Sequence, residues 1–309
     1  MTGSLMSRVE RDLQVGAPDE VMRFAEALSA ERDTAAVLFY GSILRTGHLD
    51  GVLDFYVLTN GPHRRGLRGW LEHKLWPEVD IREWTGKGVV LRAKVATLPL
   101  STFAEAAQGR RLDTTIWTRF VQPSALVWAA SDADRQAVTR AVADAVVTAG
   151  RYAAVLGLAG SAAPDWWRAL FAQTYRAEFR VERPGREDQI VGFDPGRYGD
   201  ILRLAWTEAG IAFAEDASGV TPTLSAGERG RLLRQWRLRR RLGKPLNLAR
   251  LVKAAFSFDG AARYAAWKIE RHTGMAVPLT PWREKHPVLA SPGVLWRLWR
   301  RRRAQRDAR

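Results

Sequence analysis

Apolar positions along this chain switch between strand-like runs and helical spacing, and the switches outline its elements. In residues 17–30, APDEVMRFAEALSA, Val21, Phe24, Ala25 and Leu28 recur at helical intervals behind Pro18 and two acids. The spacing predicts a covering helix. From Val37 to Leu58, VLFYGSILRTGHLDGVLDFYVL reads as an apolar strand ending at Gly41-Ser42, a polar crossing, and a second apolar strand with Asp54 in its middle. Residues 64–76, RRGLRGWLEHKLW, place Leu67, Trp70, Leu71, Lys74 and Leu75 on one helical face. VDIREW and VVLRAKVATL follow as strands, joined through Gly86-Lys87-Gly88 as a hairpin. This order predicts an α+β class, a small mixed sheet with helices on one face.

The next region is helical. Thr114 to Val121 forms a short helix or turn containing Arg119, and Pro123 ends it before the apolar SALVWAA. Ser131 and Asp134 form a capping box that opens a long helix through Val138, Val142, Val146 and Tyr152. Asp165 caps a helix bearing Trp166, Trp167, Leu170, Phe171 and Tyr175, whose end carries Tyr175, Glu178 and Arg180. Arg183 to Asp194 reads as a charged wing or linker, a further short helix follows Tyr198, and the small polar residues from Ala214 to Ser225 mark a boundary. GERGRLLRQWRLRRRLGKPLNLARLVK is a basic helix with Leu232, Leu233, Trp236 and Leu242 as its apolar side. Another helix runs from Gly260 to His272. Ser291-Pro292 start a terminal helix with Leu295, Leu298 and Trp299 on one side among Arg297 and Arg300 to Arg303. The domains drawn from this pattern are 1–125, 126–225 and 226–309.

Composition narrows the chemistry. With 309 residues and 46% apolar content the chain builds an ordinary core, and the lack of cysteine excludes disulfides, cysteine-ligated zinc and thiol catalysis. No secretory h-region and no long uncharged apolar run occur, so a cytoplasmic protein without a membrane span is expected. A net charge of +15 implies a polyanionic partner: nucleic acid, an anionic membrane or a phosphorylated substrate. Glycine at 41 lets backbone N–H groups approach a phosphate, the Ser42 hydroxyl adds a hydrogen bond, and Asp54 offers the hard oxygen that magnesium prefers. A Gly-Ser turn after one strand and an acid on the next resemble nucleotidyltransferases of the polymerase-beta type.

Four motifs in order carry a closer resemblance. They are Tyr40-Gly41-Ser42 with Leu53-Asp54-Phe55; Arg119, Gln122 and Pro123; Tyr175, Glu178, Phe179 and Arg180; and VKAAFSFDGAARYAAWKIERHTG with Lys253, Phe256, Trp267 and Lys268. Over roughly residues 35–273 the chain resembles the peripheral CDP-diacylglycerol synthases (phosphatidate cytidylyltransferases). That resemblance implies a nucleotidyltransferase domain, a helical winged-helix-like domain and a basic, membrane-binding C-terminal region. It implies CTP and phosphatidic acid as substrates, Mg2+ as cofactor, an anionic membrane as partner rather than nucleic acid, and a place at the inner face of a membrane. Tyr40, Gly41 and Ser42 would hold the triphosphate, Asp54 the metal, Arg119 and Arg180 the phosphates, and Arg92 and Lys94 the pyrophosphate. Glu178 would bind a metal or orient Arg180 and Tyr175, and Lys253 matches the lysine of the late segment. Tyr56 departs from the polymerase-beta pattern, which has a second aspartate there, and leaves Asp50 and Asp80 as candidates for a further ligand. Two other readings remain open on the residues: a nucleotidyltransferase acting on RNA, and a catalytically inactive binding module.

Overall fold

The two apolar runs around Gly41 form adjacent antiparallel strands, β1 (Thr34–Tyr40) and β2 (Val52–Thr59). The structure is a computed structural model and describes residues 3–49, 51–61, 75–86, 89–178, 185–257 and the single positions 278, 280, 293 and 296. The predicted hairpin is present as β3 (Glu78–Gly86) and β4 (Val89–Pro99), and β4 continues alongside β2 in parallel register. With β5 (Ser124–Ala129) on the far side of β1, the strand order is β3-β4-β2-β1-β5.

Every residue of β1 is buried, so both of its faces need cover. Helix α2 (Asp19–Ala30) covers one face through Val21, Phe24, Ala25 and Leu28, the residues its spacing singles out. Phe24 meets Phe55 of β2 edge-on at 5.6 Å. On the other face, α1 (Leu5–Leu13), α4 (Leu100–Ala107), α5 (Thr115–Phe120) and α6 (Asp132–Leu156) close over Leu38, Tyr56, Leu58 and Leu98. The sheet is therefore covered on both faces, not on one. Helix α1 has no counterpart in the sequence reading, although Leu5, Val9 and Leu13 recur once per turn and Ser4 caps it by accepting from the Ser7 N–H. The Ser131 hydroxyl likewise accepts from the Asp134 N–H at 3.1 Å and opens α6 as its sequence predicts.

The helical part differs from expectation in five places. Helix α7 (Ala163–Ala177) begins two residues before Asp165, which lies in its first turn 2.5 Å from Arg168. The charged stretch before Asp194 holds a helix, α8 (Arg186–Gly192), because Ile190 and Val191 are apolar and buried. The short helix expected after Tyr198 is the 14-residue α9 (Pro195–Glu208), which begins before that residue, and the small polar boundary beyond it is an antiparallel hairpin of β6 (Ala212–Asp216) and β7 (Gly219–Thr223). On α10 (Ala226–Ser257), Leu232 and Trp236 are buried as predicted, but Leu242 is 39% exposed and Arg239 takes the inner position. The Arg239 guanidinium lies over the Tyr152 ring and donates to the Gly109 and Arg111 carbonyls, which satisfy a charge that a leucine would not need satisfied.

Arg197 on α9, almost fully buried, fastens three elements. It donates to Asp12 of α1 at 2.8 Å and to the Val121 carbonyl at 3.0 Å, just after α5. Asp12 also accepts from Arg8, which reaches Asp200 at 3.1 Å.

The chain divides into two compact units, Met1–Asn247 and Leu248–Arg309. The predicted helix face of Leu67, Trp70, Leu71 and Lys74, the helix over 260–272 and the terminal arginine-rich helix lie outside the described residues. Among the described residues no helix is long and apolar enough to cross a membrane.

Candidate functional site

Strand alternation and register gather the first group of side chains. Asp54 and Tyr56 are two apart on β2 and share a face; Tyr40 of β1 pairs with Asp54 on one side, and Lys94 of β4 pairs with it on the other. The Tyr40 hydroxyl reaches Asp54 Oδ1 at 3.5 Å. Directly after Tyr40 the chain turns through Gly41, at φ 102° and ψ −163°, into the short helix α3 (Ser42–Thr46). A Cβ at Gly41 would stand 2.9 Å from Asp54 Oδ2, so glycine is what allows the carboxylate to sit against this turn. Ser42 is exposed at the first position of α3.

Arg119 reaches the same face from α5. Its Nη1 donates to the Tyr56 hydroxyl at 2.6 Å, and its guanidinium lies 4.9 Å from the Tyr40 ring centre and 5.6 Å from that of Tyr56. Phe120, next in sequence, packs against Tyr40, Tyr56 and Phe103 and anchors the helix. Burial opposes the Arg119 charge, but Tyr40, Tyr56, Asp54 and Glu178 outweigh it and raise its pKa above the usual arginine value. Burial also raises the Asp54 carboxyl above the ordinary aspartate range, and Lys94, Arg119, the Tyr40 hydroxyl and Arg186 pull it back only in part.

The structure thus brings together Tyr40, Gly41, Ser42, Asp54, Lys94 and Arg119 among the residues the sequence singles out. Arg92 shares the Lys94 face but is exposed and paired with Glu83 of β3 at 2.7 Å. Glu178 caps the end of α7 and accepts from the Thr114 and Thr115 hydroxyls, so this buried carboxylate holds the start of the helix that carries Arg119. Tyr175 is half-buried on the last turn of α7. Arg180, Asp50 and the Lys253 side chain lie outside the described residues. Asp80 pairs with Val95, on the face opposite Asp54, and lies 3.5 Å from Arg82, so it is not a ligand partner for Asp54.

Two cations here escape the sequence reading. Arg45, on α3, is half-buried, and its charge is opposed first by burial and then by Arg186 of α8. Asp54, Tyr175 and Tyr198 relieve it only in part. The arginine in GSILRTG sits four residues from Gly41, inside what reads as a polar crossing, and that proximity is the only signal the sequence offers.

Among the described residues no group of three His, Asp or Glu converges, and Tyr56 stands where a second carboxylate would serve a metal. Magnesium is commonly held by one or two carboxylates together with substrate phosphates. The donor set therefore suits an ion that shares Asp54 with a polyphosphate and does not suit a metal caged by protein alone.

No family model matches the sequence, and no curated protein does. Among solved structures the chain is similar to a nucleotidyltransferase-like protein from Exiguobacterium sibiricum 255-15, at 10% identity over 85% of this chain and 81% of that one, with a TM-score of 0.26. At that overlap the chemistry has to be argued from this chain's own side chains.

Proposed function

We propose that this chain transfers a cytidylyl group from CTP to the phosphate of phosphatidic acid at a membrane surface, giving CDP-diacylglycerol and pyrophosphate. The observation that carries the reading is the half-buried Asp54, flanked by Lys94 and Arg119 and pressed against a glycine turn that leads into α3. A lone carboxylate among cations suits polyphosphate chemistry: the cations neutralise phosphate oxygens, and the carboxylate is free to share a divalent ion with them.

In the reaction an oxygen of the acceptor phosphate bonds to the α-phosphorus, and the bond from that phosphorus to the bridging oxygen of the β-phosphate breaks. Pyrophosphate leaves with the electron pair. A phosphate monoester is already ionised near neutral pH, so no strong base is required, and positioning and charge neutralisation do the work. Gly41 and Ser42 hold the triphosphate, while Lys94 and Arg119 meet its negative oxygens. Asp54 would hold magnesium, which would neutralise phosphate charge when bound. The Arg119 fork is kept in place by the Tyr56 hydroxyl below it and by Glu178 at the start of its helix.

Support for the membrane comes from the net charge of +15 and from the outer side of α10, where Leu238 and Leu242 are exposed among Arg234, Arg237, Arg241 and Lys244. Incubation of the full chain with radiolabelled CTP, magnesium and phosphatidic-acid vesicles tests the reading. Label should pass into the chloroform phase with wild type and not with Asp54→Asn. Label that enters only added RNA, or no product at all, overturns it.

A further inference from the structure

Asp54 is common to two sets of charges. Arg119 answers to Tyr40, Tyr56, Asp54 and Glu178, whereas Arg45 answers to Arg186, Tyr198, Tyr175 and Asp54. The first set is internally satisfied through the hydrogen bond from Arg119 to Tyr56. The second is not. Arg45, though half-buried, makes no hydrogen bond and no ion pair among the described residues. Arg186 spends one donor on the neutral Gln189 side chain at 3.0 Å, and no carboxylate pairs with it among the described residues. Tyr198 is fully buried, its ring set against Trp167 and Phe171 of α7, and its hydroxyl has no hydrogen-bond partner among the described residues.

Two guanidinium groups that oppose each other's charge and a buried hydroxyl without a partner among the described residues are unfavourable left as they are, and an oxyanion is the kind of ligand that would offset all three. Burial pushes the Tyr198 phenol up to about 12, so at neutral pH it is a hydrogen-bond donor, as an anion requires. We propose that Arg45, Arg186 and Tyr198 form an oxyanion site for the phosphate monoester of the acceptor substrate, next to the Gly41-Ser42 turn that takes the nucleotide. The assignment to the acceptor rests on the nucleotidyl-transfer reading; the oxyanion site itself does not. Two fixed positive charges match a dianionic monoester better than a singly charged diester. Arg45 belongs to α3, beside the turn, while Arg186 and Tyr198 come from α8 and α9. A monoester bound there lies beside Asp54, where the nucleotide's phosphates also converge.

Glycerol 3-phosphate serves as the soluble probe, titrated calorimetrically into the full chain without nucleotide. Saturable binding is expected, weakened about tenfold or more in Arg45→Gln and Arg186→Gln and less in Tyr198→Phe, with Arg140→Gln, on the exposed side of α6, unchanged. Arg45→Lys, which keeps the charge without the fork, should bind between wild type and Arg45→Gln, and this separates a lost site from a misfolded one. CTP binding should persist in Arg45→Gln. No saturable binding to wild type, or equal binding by wild type and Arg45→Gln, overturns the site. If binding depends on Arg45 and Arg186 but no nucleotide is ever transferred, the oxyanion site stands and the transferase reading falls.

Discussion

The Tyr56 hydroxyl lies 2.6 Å from Arg119 Nη1 and accepts its hydrogen bond, so the residue in place of a second carboxylate is what holds the site's most buried cation. Tyr56→Phe keeps the ring and removes the acceptor. Leaving a buried guanidinium donor unsatisfied costs about 1–3 kcal/mol, so the variant should melt lower and turn over more slowly while retaining the fold. Tyr56→Asp should not be a better enzyme, because the aspartate is too short to meet Arg119 from the same position. Thermal melts and single-turnover rates check both; an unchanged rate in Tyr56→Phe removes Arg119 from the chemistry.

Gly41→Ala places a methyl group 2.9 Å from the Asp54 carboxylate, at a backbone φ of 102° that side chains rarely adopt. Strain of that kind costs about 1–3 kcal/mol. The expected result is a loss of activity larger than the loss of stability, because Asp54 has to move aside. Denaturant titration beside a kinetic assay gives both quantities.

Burial holds the Asp54 carboxyl above its ordinary value of 3.8, so the folded chain binds that proton more tightly than the unfolded chain does. Its contribution to stability is complete below the ordinary value and is lost as pH rises through the raised one. The proposed transfer needs the carboxylate and runs the opposite way, falling as pH drops through that same raised value. Asp54→Asn removes both effects. Relative to wild type its melting temperature should rise as pH increases above the ordinary aspartate value, and its residual turnover should be about a hundredfold lower. A melting difference that does not vary with pH contradicts the placement of this carboxyl.

The outer side of α10 yields a prediction about salt. Arg237→Glu with Arg241→Glu should weaken co-sedimentation with anionic vesicles, by about 1 kcal/mol for each basic residue removed, and wild-type binding should fall as salt is raised. Leu238→Ser with Leu242→Ser should weaken it at every salt concentration. Equal binding to neutral and anionic vesicles would remove the arginines from the contact.

The strand pair around Gly41 was legible because its runs are apolar on both sides and interrupted by one acid; a lone aspartate between Leu53 and Phe55 is conspicuous in one dimension. Arg119 was legible for a related reason, standing within a short apolar segment that Pro123 ends. Arg45 was not. What marks it is the lack of a partner among the described residues, together with the charge interactions of Arg186 and Tyr198, which are more than a hundred positions away in sequence. Tyr198 reads as an ordinary core aromatic, and only its unpartnered hydroxyl distinguishes it. Helix α8 was hidden because its first turn is charged and exposed while only Ile190 and Val191 face inward.

The buried Arg197 carries one more consequence. Its carboxylate partner, Asp12, belongs to the first helix, and its other acceptor is the Val121 carbonyl, two residues beyond Arg119. A chain begun at Gly16 would leave that guanidinium without its counter-charge, beside Tyr198 and at the root of α9. The opening residues of the sequence, which make no hydrogen bond to Asp54 or Arg45 among the described residues, would then act as a distant brace: trimming them should blunt the proposed activity while every residue of its site is still present.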